Sequence, residues 1–236
     1  MANGFELHTH TGIATEKSIG RKQGVLFLIL LLTQRGQILP ANSLLNLLWD
    51  DPDMLDVPER ALKNLSYNVR KNIRHLFAEN DFLEIKKAGY AFNSKYTVIT
   101  DLDVFSKRLQ DVHEITDQKS RLRAYIDLLN RYNGTILPQH SSRVVVQFAE
   151  KFKMRRHYAQ NESLVIMHDL EFFGQMHEFI GQVSVARGWD ADLSYWDIKA
   201  LVGMRKFVEA RATLKLFRDM MAPHQLNELA FLEQIE

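Results

Sequence analysis

The stretch Asp56–Phe77 constrains the fold more than any other part of the sequence. Its apolar residues recur three and four positions apart, as in an amphipathic helix, and they are Leu62, Leu65, Val69, Ile73 and Leu76. Asp56 is expected to cap this helix, with Glu59 completing a capping box and Pro58 in the first turn. The sequence therefore predicts a helix with one buried side and one exposed side.

The side of this stretch opposite the apolar residues carries cations, amides and a tyrosine. They are Arg60, Lys63, Asn64, Tyr67, Asn68, Arg70, Lys71 and Arg74, and no acid occurs between Glu59 and Glu79. Lysine and arginine neutralise phosphates, while asparagine and arginine can reach base edges in a DNA major groove. For such a helix taken alone, a solvated basic face is a simpler interpretation than a DNA-binding surface. The neighbouring elements therefore decide between these two interpretations.

Composition limits the classes of protein to which the chain can belong. It has 236 residues, 46% of them hydrophobic and 25% charged, which are ordinary values for a globular protein of one large or two small domains. The net charge is only +1, so any surface that attracts nucleic acid must be local. The absence of cysteine removes disulfides, Cys-ligated zinc and thiol catalysis, and it fits a cytoplasmic protein.

No part of the sequence indicates a membrane protein. The first ten residues lack the basic start and apolar centre of a signal peptide. Val25–Leu32 is the most apolar run, but it is far shorter than the roughly 20 residues that span a bilayer. We therefore expect a buried core helix there and no membrane partner.

The first 97 residues show the element order of a winged helix. The expected elements are strands at Phe5–Thr11 and Ile13–Ile19, helices at Arg21–Thr33 and Ala41–Trp49, the helix Asp56–Phe77, and a hairpin of Phe82–Lys86 and Tyr90–Asn93. Asn42 or Ser43 is expected to cap the second of these helices. A helix-turn-helix whose second member is basic, followed by a hairpin bearing Lys86 and Lys87, is typical of a winged helix that binds DNA.

Residues 98–236 are predicted to be entirely helical. Helical spacing occurs at Asp101–Asp111, Gln118–Tyr132, Val144–Phe172, Gln175–Ala186, Leu193–Met204 and Phe207–Met221. Helix pairs of this kind stack like tetratricopeptide repeats, whose concave side binds a peptide or protein, although the stack could equally dimerise or brace the first domain. The predicted fold is thus mainly α with a small β component: a winged helix-turn-helix (α+β) in 1–97, followed by an all-α tetratricopeptide-like domain in 98–236.

The two parts together resemble a known pairing. Residues 5–100 resemble the OmpR/PhoB-type winged-helix DNA-binding domain of SARP-type transcriptional regulators, through LFLILLL at 26–32, ILPANSLLNLLWDD at 38–51, VRKNI at 69–73 and KKAGYAF at 86–92. Residues 101–221 resemble the bacterial transcriptional activator domain that follows it, through TDLDVFSKRL at 100–109 and YNGTILP at 132–138. No phosphate-loop motif of a nucleotide-binding ATPase occurs in the chain.

The resemblance implies a DNA-binding transcriptional activator whose recognition helix maps onto Pro58–Leu76. The DNA-facing positions then fall on Arg60, Lys63, Asn64, Tyr67, Asn68, Arg70 and Lys71, and the implied partners are double-stranded DNA, RNA polymerase or another regulatory protein, and a second copy of the chain. Where the family commonly has arginine, this sequence has Asn68, and asparagine favours adenine where arginine favours guanine.

Nothing in the sequence assembles an enzyme site. No nucleophile elbow, paired acidic motif or glycine-rich nucleotide loop is present, so we expect no catalysis and no cofactor. His8 and His10 share one face of a strand but lack a nearby third ligand, so no metal is expected, and His75 is expected at the surface or near a phosphate. Lys151, Lys153, Arg155 and Arg156 are expected to form a solvated helix face, with a further DNA or partner contact as the alternative.

A second hypothesis assigns the chain to a different functional class. In it the chain is a protein-interaction module, the helical stack is the working part, and the winged helix no longer binds DNA. The near-neutral net charge and Asn68 are its support.

Overall fold

The computed structural model describes residues 4–77, 81–138, 140 and 142–233, apart from the side chains of Ala186 and Glu233. The chain divides into two compact units, one of Met1–Arg108 with Asn130–Arg155 and the other of Leu109–Leu129 with Arg156–Glu236. The fold is a winged helix-turn-helix followed by an all-α, tetratricopeptide-like part, as predicted. The boundary near residue 97 stays a prediction, and residues 1–3 and 234–236 of the two predicted domains lie outside the described residues.

The chain begins with a short hairpin. Strands β1 (Glu6–Thr9) and β2 (Gly12–Thr15) pair antiparallel, with Leu7 opposite Ala14. The predicted second strand is wrong beyond Thr15, because Glu16–Ile19 forms a one-turn helix, α1. The Ser18 hydroxyl accepts a hydrogen bond of 2.7 Å from the Thr15 N–H, a local bond that favours this turn over extended backbone.

Two buried helices follow. Helix α2 (Lys22–Thr33) is the predicted core helix, and Val25 and all residues from Phe27 to Leu32 are buried. Helix α3 (Ala41–Leu48) buries Leu44, Leu45 and Leu48. Its N-cap is Pro40, so the predicted cap by Asn42 or Ser43 is wrong: both residues lie inside the helix. A 3₁₀ turn, Pro52–Met54, leads to the next helix.

Helix α4 (Pro58–Ile73) is the predicted amphipathic helix, and a 3₁₀ turn, Arg74–Leu76, continues it. The predicted capping box is wrong, because Val57 is the N-cap and makes no side-chain cap bond. Pro58 occupies the first helical position, where its fixed φ and missing N–H suit the helix start, and this leaves Asp56 one residue too early to cap. Strands β3 (Leu83–Lys86) and β4 (Gly89–Phe92) then form the predicted hairpin.

The rest of the chain is helical where it is described. The helices are α5 (Asp101–His113), α6 (Gln118–Arg131), α7 (Arg143–Asp169), α8 (Phe173–Arg187), α9 (Ala191–Gly203), α10 (Phe207–Phe217) and α11 (Pro223–Leu229), with 3₁₀ turns at Arg218–Met220 and Ala230–Glu233. Helix α11 was not among the predicted helices, because a proline such as Pro223 was interpreted as the end of helical structure. In the structure Pro223 lies in the first turn of a helix, where proline is tolerated. Within the described residues, no helix combines the length and the apolar character needed to cross a membrane.

Candidate nucleic-acid interface

Helix α4 buries one side and exposes the other, as its sequence predicts. Leu62, Leu65, Val69 and Ile73 are buried, together with Leu76 of the following turn. The seven predicted DNA-facing residues and Arg74 are all exposed: Arg60, Lys63, Asn64, Tyr67, Asn68, Arg70, Lys71 and Arg74. The Tyr67 side chain is 65% exposed despite its large ring, so it does not contribute to the core beneath the helix.

Close packing on α2 fixes the buried side of α4. A Cβ atom built on Gly24 would lie 3.0 Å from Cγ2 of Val69 and 3.3 Å from Cγ2 of Ile19. Only a residue without a side chain lets the two helices approach so closely without a shift of their neighbours. Gly24 therefore determines how closely α4 packs on α2, and this packing positions the exposed cationic side of α4.

Two hydrogen bonds tie the end of α4 and the 3₁₀ turn after it to the N-terminal hairpin and α1. The Asn72 side-chain amide donates to the carbonyl of Ile19 over 3.0 Å, and the Thr11 hydroxyl donates to the carbonyl of Leu76 over 2.7 Å. The second bond satisfies a carbonyl that the end of the helical segment leaves without an intrahelical partner. Sequence reasoning missed both residues, because their partners lie 53 and 65 positions away.

The hairpin β3–β4, which we call the wing, is held by an aromatic cluster. The ring of Phe77, just after the helical segment, stacks on Phe82 with centroids 4.7 Å apart and meets Phe92 and Tyr96 edge-on at 6.1 and 5.1 Å. Phe82 and Phe92 are themselves buried. The wing is therefore positioned by packing against the same segment that carries the exposed cations.

A second contact fixes the wing from its other side. Leu39 and Tyr90 exchange backbone hydrogen bonds of 2.7 and 2.9 Å. Gly89 has a φ of +146°, and a Cβ atom there would lie 2.0 Å from the carbonyl oxygen of Leu39. Glycine is thus required at this position, both for its backbone angle and for the closeness of the neighbouring chain.

The exposed cations fall into two electrostatic groups. Arg70 pairs with the carboxylate of Asp81, and Lys86 pairs with Glu84 over 2.7 Å. Arg60, Lys63, Lys71, Arg74 and Lys87 form no ion pair with any residue that the structure describes. Five cations are therefore without an ion pair in the described part of the chain, and the sequence alone did not separate them from Arg70 and Lys86.

The amides share the exposed side with these cations. Asn64 and Asn68 are four residues apart and so project from the same helical face, with Tyr67 beside them. A helix of about 10–12 Å diameter fits a major groove of about 12 Å width. The arrangement offers cations for the two phosphate backbones and amides for base edges.

Two histidines of this unit lie at the surface. His8 contacts Glu6 over 2.9 Å, and His75 is exposed in the 3₁₀ turn after α4. Among the described residues, no three His, Cys, Asp or Glu side chains gather in a way that could hold a metal ion.

Comparisons with known proteins show that this chain is similar in fold to a solved structure. No family model matches the chain, and no curated protein matches it by sequence. A solved structure, Mycobacterium tuberculosis EmbR in complex with a low-affinity phosphopeptide, superposes with a TM-score of 0.76 over 99% of this chain at 15% sequence identity. The alignment covers 64% of the EmbR chain, so this chain spans less than two thirds of that protein.

Proposed function

We propose that this protein is a DNA-binding transcriptional regulator, and an activator, that places α4 in the major groove of double-stranded DNA. The observation that carries the proposal is the amphipathic helix α4, whose buried side packs on α2. Its exposed side, together with Arg74 in the turn that follows, holds four cations free of ion pairs with described residues, and Lys87 of the wing is a fifth. The fold likeness to EmbR, a SARP-family regulator, supports the same class of function.

In this proposal each group of residues has its own role. Arg60, Lys63, Lys71 and Arg74 contact phosphates on either side of the groove, and Asn64 and Asn68 donate to and accept from base edges. Lys87, at the tip of the wing, contacts the backbone beside the groove. Arg70 and Lys86, which already have carboxylate partners, contribute less binding free energy than the others.

The helical part of the chain has a separate proposed role. Stacked helical hairpins present extended surfaces for proteins or peptides. We propose that these helices bind RNA polymerase or another regulatory protein, or a second copy of the chain, so that a homodimer occupies repeated half-sites in the cytoplasm.

The test compares salt-dependent binding of a random duplex by two charge-matched variants. Arg60→Ala/Lys71→Ala removes two proposed phosphate contacts, so the slope of log Kd against log salt should fall by about two units, and affinity at low salt should weaken. Lys107→Ala/Arg108→Ala removes two exposed cations of α5 and should bind as the natural protein does. Fluorescence anisotropy across a salt series measures both quantities.

Two outcomes would contradict the proposal. Equal slopes for both double variants would mean that binding depends on total charge and not on α4. A natural protein that fails to bind any duplex at low salt would favour the protein-interaction module, in which the winged helix serves only as a support.

A further inference from the structure

A small cavity of about 180 Å³ lies in the first unit, where the end of α2 meets the start of α5 and the N-terminal part of α7. Its charged lining consists of Arg35, Lys151, Arg155 and Asp103. Thr33 and Thr100 add hydroxyl groups, and the apolar lining is made of Leu102, Phe148 and Phe152. The cavity thus places three cations and one carboxylate beside an apolar wall.

The single carboxylate is already satisfied by its neighbours. Asp103 accepts hydrogen bonds from the Thr100 N–H at 3.0 Å and the Thr100 hydroxyl at 2.8 Å, and it pairs with the Arg35 guanidinium. Burial raises the pKa of Asp103, but the bonds from Thr100 and the charge of Arg35 outweigh burial and lower it. Asp103 therefore balances Arg35, and within the described part of the chain no carboxylate pairs with the other two cations.

Lys151 and Arg155 are those two cations. They are four residues apart on α7 and line the same cavity, so their like charges repel each other. Arg155 donates to the neutral hydroxyl of Ser106, and Lys151 has no carboxylate partner among the residues that the structure describes. Lys151, Lys153 and Arg155 are exposed, as expected for a solvated helix face. Two of them, Lys151 and Arg155, also line the concave site.

The backbone at Arg35 adds an independent observation. Its φ is +47°, in the left-handed region that residues with a Cβ disfavour and that glycine or asparagine normally occupies. An arginine at this position places its guanidinium at the rim of the cavity, where it holds Asp103. Arg35 therefore combines a left-handed backbone with an ion pair at the cavity.

We propose that this cavity binds a small organic anion, whose carboxylate or phosphate lies between Lys151 and Arg155 and whose apolar part packs on Leu102 and Phe148. The volume suits a single ring or a short chain, because drug-sized ligands fill pockets of about 300 Å³ or more. This site is separate from α4, so it adds a small-molecule ligand to a protein proposed to bind DNA.

The experiment titrates the full chain by isothermal calorimetry at constant ionic strength. The probes are benzoate, phenyl phosphate, inorganic phosphate and neutral benzyl alcohol. Benzoate or phenyl phosphate should bind saturably with one site per chain, and the tighter of the two identifies the preferred head group. Inorganic phosphate should bind more weakly because it lacks the apolar part, and benzyl alcohol should not bind.

Variants locate the binding. Lys151→Ala should weaken the tighter probe about tenfold, the effect of losing one charged hydrogen bond. Lys153→Ala removes an exposed cation two residues away that does not line the cavity, and it should leave the affinity unchanged. Lys63→Ala/Lys71→Ala on α4 should also leave the affinity for the probe unchanged. No saturable binding, equal losses at Lys151 and Lys153, or loss in the α4 variant would overturn the proposal.

Discussion

The guanidinium of Arg70 lies against the carboxylate of Asp81, so a cation of the exposed helical side is joined to a residue two positions before the wing. The Asp81 carbonyl also accepts a bond of 2.8 Å from the Asn93 side chain at the other end of the hairpin. Arg70 therefore connects α4 to the base of the wing, and it differs in role from Lys71 beside it.

This difference predicts unequal effects of two neighbouring substitutions. Lys71→Ala should lower the salt slope of duplex binding by about one unit, whereas Arg70→Ala should lower it by less, because Asp81 already neutralises Arg70. The lost ion pair is partly exposed, so Arg70→Ala should cost no more than about 1 kcal/mol of unfolding free energy. Asp81→Asn releases Arg70 and should raise the slope. Identical slopes for Arg70→Ala and Lys71→Ala would contradict this division of roles.

The wing depends on the glycine at its turn. Gly89→Ala should lower the free energy of unfolding by about 1–3 kcal/mol, because it forces a side chain onto the Leu39 carbonyl at an unfavourable φ. Gly181→Ala is the control: nothing lies within 4 Å of the added methyl group in the middle of α8, so this change should stabilise the protein by about 1 kcal/mol. Urea unfolding measures both, and a neutral Gly89→Ala would refute the close approach.

The sequence predicted those features that depend on local pattern. The apolar spacing of α4 predicted every buried apolar residue of the helix, although not the buried Ser66, and the run Val25–Leu32 predicted a buried helix. Both predictions succeeded because the hydrophobic effect favours one arrangement in each case. A helix with one apolar stripe buries that stripe, and a helix that is apolar on all sides is buried completely.

Features that join distant parts of the chain could not be predicted in this way. The Leu39–Tyr90 bridge, the Asn72–Ile19 bond and the Arg70–Asp81 pair each link residues that only the folded chain brings together. The predicted N-cap of α4 was wrong for a local reason. Asp56 and Pro58 both favour a helix start, and because Pro58 is the first helical residue, the N-cap is Val57 and not Asp56. The cavity beside Arg35 was missed because its cations come from a turn and from one helix that lies far away in the sequence.

Stability and DNA binding should separate on the two sides of α4. Ile73 is fully buried, so Ile73→Ala should cost about 2–5 kcal/mol of unfolding free energy. Tyr67 is largely exposed, so Tyr67→Ala should change stability by no more than about 0.5 kcal/mol while weakening duplex binding. Thermal unfolding and anisotropy on the same samples compare the two. A strongly destabilised Tyr67→Ala would mean that this ring is part of the core.

Asp103 predicts a pH dependence of stability. Its pKa is lowered in the folded protein, so its charged form adds stability above the pKa of the unfolded chain, about 3.9, and that contribution disappears as pH falls through the folded pKa. The natural protein should therefore be more stable than Asp103→Asn near pH 7, and the difference should shrink below about pH 4. A difference that persists unchanged at pH 2 would contradict a contribution from the charged carboxylate.

The most direct test of the central claim uses the absence of cysteine. Asn68→Cys creates a single attachment point on the exposed side of α4 for an iron chelate that cleaves nearby DNA, and the natural protein, which cannot be labelled, is the matched control. The proposal predicts duplex cleavage from position 68 that excess unlabelled duplex suppresses. Duplex that is bound by the labelled protein but cleaved no more than by free chelate would show that α4 does not enter the groove.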